Sequence, residues 1–189
     1  MSRAIFALVL ACFLTGCPST PRANLDSGDP YERYLGALEA EKYRDPQALK
    51  RTEEMLKDPD PLARTGAVVA LSQVRQPHVL KLLTGMLSDP DASVRAEAVR
   101  AVAGFKEAAS VTDLANVLAT DRDVEPRRVA ALALGTFPDG PAVRSALLEA
   151  FSDSASGVAY NAYQSLVRLT GRTDLPRDRS KAEQALKGS

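Results

Sequence analysis

The sequence predicts an all-α protein: a right-handed α-solenoid of about four helix-turn-helix repeats with a capping helix at each end. Three observations carry this expectation. The chain aligns with itself four times without gaps. Within each copy, apolar residues recur at helical spacing. Between the helical stretches stand Asp-Pro and Pro-Asp pairs, which stop one helix and start the next.

In chain order, residues 1–16 read as a targeting segment. Arg3 is followed by an unbroken apolar run over 4–14, AIFALVLACFL. Eleven residues rise about 16 Å as a helix, about half a hydrocarbon core, so the run is too short to span a membrane. A charged start, a short apolar middle and small residues after it are the parts of a secretory signal. Leu14-Thr15-Gly16-Cys17 then resembles the lipobox of bacterial lipoproteins. The resemblance implies cleavage before Cys17, acylation of that cysteine, and a folded part held at the cell envelope on the periplasmic side of a membrane. The chain has two cysteines, Cys12 and Cys17. Cys12 would leave with the signal, so the mature protein would have no disulfide and would rely on packing. Residues 17–29 are expected to be the lipidated cysteine and a flexible tether, since Pro, Ser, Asp and Gly dominate without apolar period.

Asp29-Pro30 opens an expected capping helix over residues 30–45. Its Tyr31, Tyr34, Leu35 and Leu38 form one face suited to covering the first repeat. The repeats follow over 46–171, anchored on Asp58, Asp89, Asp121 and Asp153 at offsets of 31, 32 and 32 residues. Six residues after each anchor stand Arg64, Arg95, Arg127 and then Ala159. Offsets of nine, thirteen and sixteen hold Ala67, Ala98, Ala130 and Ala162; Leu71, Val102, Leu134 and Leu166; Val74, Phe105, Phe137 and Leu169. Those three offsets are i, i+4 and i+7, one apolar face of a helix, with a small residue where neighbouring helices come together. Ten residues before the anchors, Ala48, Val79, Val111 and Val143 mark the first helix of each unit. Asp60-Pro61 reads as an N-cap with proline at the first helical position, and Asp91 and Asp123 as further caps. Residues 172–189 form a tail with a weak helix near 178–187, whose apolar face (Ala182, Ala185, Leu186) is thin.

The pattern L-x-D-P-D-x-x-[VA]-R-x-x-A-[VA]-x-A-[LV], best in 56–71 and 87–102, resembles the HEAT repeat, in particular the short bacterial form related to phycobilin-lyase subunits. The resemblance implies that each anchor Asp and the Arg six residues later hydrogen-bond between successive repeats. Asp58, Asp89 and Asp121 with Arg64, Arg95 and Arg127 match that ladder, and Ala159 departs from it in the last copy, as befits a cap.

Charge and composition narrow the function. Lys plus Arg and Asp plus Glu are each 24, and the formal charge is zero, so no basic stripe for nucleic acid is expected. The sole histidine, His78, lacks a cluster of ligands or a nucleophile, so no metal, cofactor or catalytic residue is expected. The remaining candidate is the ridge of second helices at offsets seven, eleven and fourteen. From it, Arg100, Arg128, Leu132, Tyr160 and Gln164 are the candidate partner-binding residues. The expected function is a lipid-anchored, monomeric scaffold or adaptor for an unidentified protein, touching the membrane through Cys17 alone. The alternative is a subunit of a chromophore-lyase-like enzyme complex, since HEAT-like relatives include lyase subunits and DNA glycosylases.

Overall fold

Turn chemistry sets the helix boundaries. In the computed structural model, which describes residues 25–43 and 46–187, Asp60 takes extended backbone and its carboxylate accepts from the Leu62 N–H. Pro61 stands at the first helical position, where its missing N–H is no loss. Asp91 caps the equivalent helix through Ser93 and Val94. Asp123 does not cap, contrary to the sequence expectation: its carboxylate is drawn instead to Arg95 at 2.7 Å and Arg122 at 3.3 Å.

The resulting helices are α1 (Pro30–Tyr43), α2 (Pro46–Glu54), α3 (Pro61–Leu71), α4 (Pro77–Gly85), α5 (Ala92–Phe105), α6 (Ser110–Thr120), α7 (Val124–Leu134), α8 (Pro141–Glu149), α9 (Ser156–Thr170) and α10 (Arg179–Lys187). The described residues contain no strand. The three first helices α2, α4 and α8 each end in one turn of 3-10 helix before the anchor Asp, whereas α6 stays α-helical up to Asp121. The tighter winding moves the buried leucine: Leu83 and Leu147 lie six residues before their anchors, Leu114 seven before its own.

Two layers build the solenoid. The second helices stack in the order α1, α3, α5, α7, α9, and α6, α8 and α10 stack in the other layer. Between the layers lies one apolar core. The columns at nine and thirteen, Ala67 to Ala162 and Leu71 to Leu166, are fully buried. Burying each such leucine stabilises by about 2–3 kcal/mol, and the alanines let the helices close up. At Gly66 the approach is closer still: a Cβ there would stand 2.8 Å from Tyr34 Cδ2 and 2.9 Å from Tyr34 Cα. At Gly135 a Cβ would meet Ser165 Cβ at 2.5 Å. Only a residue without a side chain fits either contact.

The ends differ from the sequence expectation. The segment read as tether is packed from Leu25 onward: Leu25 is buried in the core, and Asp26 pairs with Arg51 at 3.0 Å. The expected signal peptide, Cys17 and the tether up to residue 24 lie outside the described residues. Helix α1 does cover the first repeat, with half of the face expected: Tyr34 packs on Gly66 and Leu38 is partly buried. Tyr31 and Leu35 are exposed, while Gly36 and Ala37 are buried. At the other end, Ala182 of α10 is fully buried, Leu175 is buried, and the Tyr163 hydroxyl donates to the Leu175 carbonyl at 3.2 Å. No described helix is long and apolar enough to cross a membrane.

Candidate functional site

Two sets of side chains recur along the stack. The first is the Asp/Arg ladder, and its geometry is the same at each rung. Arg64 grips Asp89 through Nε and Nη2, both at 2.8 Å; Arg95 grips Asp121 at 2.8 and 2.8 Å; Arg127 grips Asp153 at 2.8 and 3.0 Å. These are parallel two-point contacts between a planar guanidinium and a carboxylate. The remaining Nη1 of each Arg donates to the carbonyl of its own unit's anchor, Asp58, Asp89 or Asp121. Each anchor carboxylate also accepts from the backbone N–H two residues on, at Asp60, Asp91, Asp123 and Ala155. One residue pair thus ties the turn of one repeat to the turn of the next.

A further rung was not legible in the copies compared. Arg33 of α1 donates to Asp58 at 2.7 and 2.8 Å and to the Ser27 carbonyl at 2.7 Å. The signal was present: 31 residues before Asp58 stands Ser27, six later Arg33 and nine later Gly36. Helix α1 is therefore a second helix of the repeat type, with Ser27 in place of the anchor aspartate.

The rungs shift the ionisation of their members. Burial alone would raise Asp121, but the bond from Arg95 and the Asp123 N–H outweigh it and hold this carboxyl below its usual range. Asp58 is lowered in the same way, against its burial, by Arg33, the Asp60 N–H and the Arg64 charge. For Asp153 the bond from Arg127 is the main cause of lowering. Arg64, Arg95 and Arg127 are raised, chiefly by their bonds to Asp89, Asp121 and Asp153. Each of these guanidinium groups is thus held between a carboxylate of the next repeat and a carbonyl of its own.

The second set is a groove of about 340 Å³ between α5 and α7. Three of the candidate partner residues, Arg100, Arg128 and Leu132, line it together, with Ala103, Val129 and Ala133. Tyr160 and Gln164 are not in its lining; they occupy the same offsets one helix further along, on α9, and Tyr160 is 52% exposed. The arginines are less available than the sequence implied. Arg128 bonds Glu125 at 2.7 and 2.6 Å, and Arg100 bonds Glu97 at 2.9 Å and Glu125 at 3.5 Å. Arg128 lowers Glu125 chiefly through its hydrogen bond. Lys106, at φ 60°, adds a third cation at the rim; its Nζ donates to the Thr136 hydroxyl and carbonyl and lies 5.2 Å from the Phe137 ring centre. Arg75 sits over Phe105 at 5.0 Å, one repeat earlier, in the same arrangement. The groove therefore has an apolar floor and a largely self-compensated polar rim.

Among the described residues, no group of three or more His, Cys, Asp or Glu is placed to hold a metal ion. His78 is half exposed, with Nε2 3.0 Å from Glu53 Oε1.

A family model described as HEAT repeats matches residues 20–103 and again 81–167. Two solved structures share the fold with TM-scores of 0.54. One is an engineered protein, 21% identical, with 89% of this chain and 84% of that chain covered. The other is the complex of CpcE and CpcF of phycocyanin lyase from Nostoc sp. PCC7120, 22% identical, with 77% and 91% covered. No curated protein matches the sequence.

Proposed function

We propose, on the premise that this chain belongs to the HEAT-repeat family, that it is a scaffold holding an apolar segment of another protein in the groove between α5 and α7. A lipidated Cys17 would tie it to the bacterial cell envelope. The observation that carries the docking reading is the groove itself. Leu132, Val129, Ala103 and Ala133 line a concavity of about 340 Å³ on the second-helix layer, and cations and carboxylates at its rim balance nearly to neutrality. A partner gains from burying apolar surface there, while the rim fixes its orientation. The anchor reading rests on Leu14-Thr15-Gly16-Cys17 after the apolar run.

The test is Leu132→Asp, which puts a carboxylate on the floor of the groove at a partly buried position. The variant is expected to keep wild-type helicity and to lose a partner recovered in stoichiometric amount with the wild type from detergent-solubilised membranes. Unchanged recovery of that partner moves the docking surface off the groove. A chromophore in place of a protein partner favours the lyase-subunit alternative.

A further inference from the structure

We infer, on the reading that the groove between α5 and α7 holds a partner protein, that the segment it holds is acidic: an apolar stretch that ends on an aspartate or glutamate side chain seated against Lys106. The length of the site sets the size of that stretch. The α7 lining runs from Arg128 to Thr136, which is about 12 Å along the helix axis. An extended segment of about four residues covers that distance.

The two ends of the groove differ in charge. At one, Arg100 and Arg128 are answered by Glu97 and Glu125, at 2.9 and 2.6 Å. At the other stands Lys106, whose partners are all neutral: the Thr136 hydroxyl, the Thr136 carbonyl and the face of Phe137. A second cation, Arg75, lies against Gly104 of the lining, its guanidinium 3.8 Å from where a Cβ would stand. Arg75 rests on the Phe105 ring and, like Lys106, forms no ion pair among the described residues. Asp139, on the turn after α7, is already held by Arg144, and Glu107, next in the chain, is exposed and pairs with neither cation. The excess positive charge of the groove is therefore concentrated at the Lys106 end.

The ammonium is fixed in place and has a donor left over. It carries three N–H groups; Thr136 takes two, and one remains at an exposed position on the groove wall. The backbone beneath it is left-handed, at φ 60°, the only non-glycine residue in that region among the described residues. Glycine takes this conformation without strain, as Gly171 does at φ 67° where α9 ends. A lysine there is strained, and its side chain is what glycine could not supply. The Thr136 bonds and the Phe137 face hold that side chain in one position, so an arriving carboxylate meets a preorganised cation beside an apolar floor. There the attraction is stronger than in open water, and a basic segment is repelled.

Phage selection of short random peptides against the purified full chain tests this. The enriched sequences are made as C-terminally amidated peptides, which removes the terminal carboxylate as a source of charge, and are titrated by fluorescence anisotropy. They are expected to carry Asp or Glu at one end of an apolar run and to lose binding to Leu132→Asp. Lys106→Gln is expected to weaken binding about tenfold, Lys106→Arg to restore most of it, and Lys81→Gln on α4 to leave it unchanged, with circular dichroism melts showing each variant folded. Changing the peptide's acid to its amide weakens binding to wild type by the same factor and to Lys106→Gln no further, because the two charges act as a pair. Peptides that need Leu132 but ignore Lys106→Gln, losses that simply add, or a basic or uncharged consensus overturn this inference and leave the groove reading standing. Peptides that bind Leu132→Asp as well as wild type, or a selection that enriches none, overturn the groove reading and this inference with it.

Discussion

Replacing Arg95 with alanine tests the ladder where it carries the most hydrogen bonds among the described rungs. Arg95 is 5% exposed and bonds both oxygens of Asp121, the carbonyls of Asp89 and Pro90, and the Asp123 carboxylate. The Arg95 and Asp121 side chains are each 6% exposed. Alanine would leave the Asp121 carboxylate with the hydrogen bond from the Asp123 N–H but without its guanidinium partner. Breaking a buried ion pair on one side costs about 3–5 kcal/mol. Water entering the vacated guanidinium space recovers part of that, so the expected cost is about 3 kcal/mol. With a urea slope of about 2 kcal/mol per molar, the unfolding midpoint at pH 7 drops by about 1.5 M, read by circular dichroism. The control is Arg172→Ala, whose side chain is one-third exposed and pairs with an Asp174 that is 68% exposed; its midpoint stays near wild type. The double variant Arg95→Ala with Asp121→Ala is expected to be more stable than the sum of the two single losses, because neither charge is then left alone. Equal midpoints for Arg95→Ala and Arg172→Ala would refute the reasoning.

Other expectations follow from the same contacts. Gly66→Ala forces α1 off α3 and costs about 2 kcal/mol, seen as a lower melting temperature with α1 amides losing protection from exchange. Ser165→Ala raises stability by about 1 kcal/mol: the Ser165 hydroxyl is buried without a hydrogen-bond partner, and alanine already fills that column at Ala70, Ala101 and Ala133. Asp58, Asp121 and Asp153 have lowered folded-state values, so their contribution is complete above the ordinary carboxylate range, near pH 4, and is lost as pH falls through the lowered values. Urea midpoints are therefore expected to be level from pH 7 to about pH 5 and to fall below about pH 4; a rise into acid contradicts this. Intact mass of the mature protein is expected to show cleavage before Cys17 and an acyl mass that Cys17→Ser removes, whereas a mature N-terminus elsewhere without acyl mass sinks the anchor.

The repeats were legible because each unit solves the same packing problem with the same residues. Ala at nine and Leu or Val at thirteen recur because every second helix meets its neighbours at the same depth. The Asp/Arg spacing recurs because one ion pair joins every turn to the next. What the columns hid was what changed at the ends. Ser27 meets Arg33 through its carbonyl as the other anchors meet theirs, but it has no carboxylate, so the Asp-to-Arg spacing that marks the other copies is absent and α1 reads as a cap. Tyr31 and Leu35 look like a core face in one helix; in the stack they are the face turned away from it. Asp123 has the position of a cap, but Arg95 from the previous repeat competes for it. The groove was half legible. Offsets seven, eleven and fourteen placed Arg100, Arg128 and Leu132 on one ridge, but their partners lie off those columns: Glu97 beside Arg100, and Glu125, which reaches both arginines, at offset four in the first turn of α7.

The measurement closest to the central claim is site-specific photo-crosslinking in the native membrane. A photoreactive side chain at Leu132, on the groove, is compared with one at Lys81, exposed on α4, the first helix of its repeat. A groove that holds a partner predicts a single crosslinked protein from position 132, diminished by Ala103→Asp on the facing wall, and none of that product from position 81. The same product from both positions, or none from position 132 while Lys81 yields one, would contradict it.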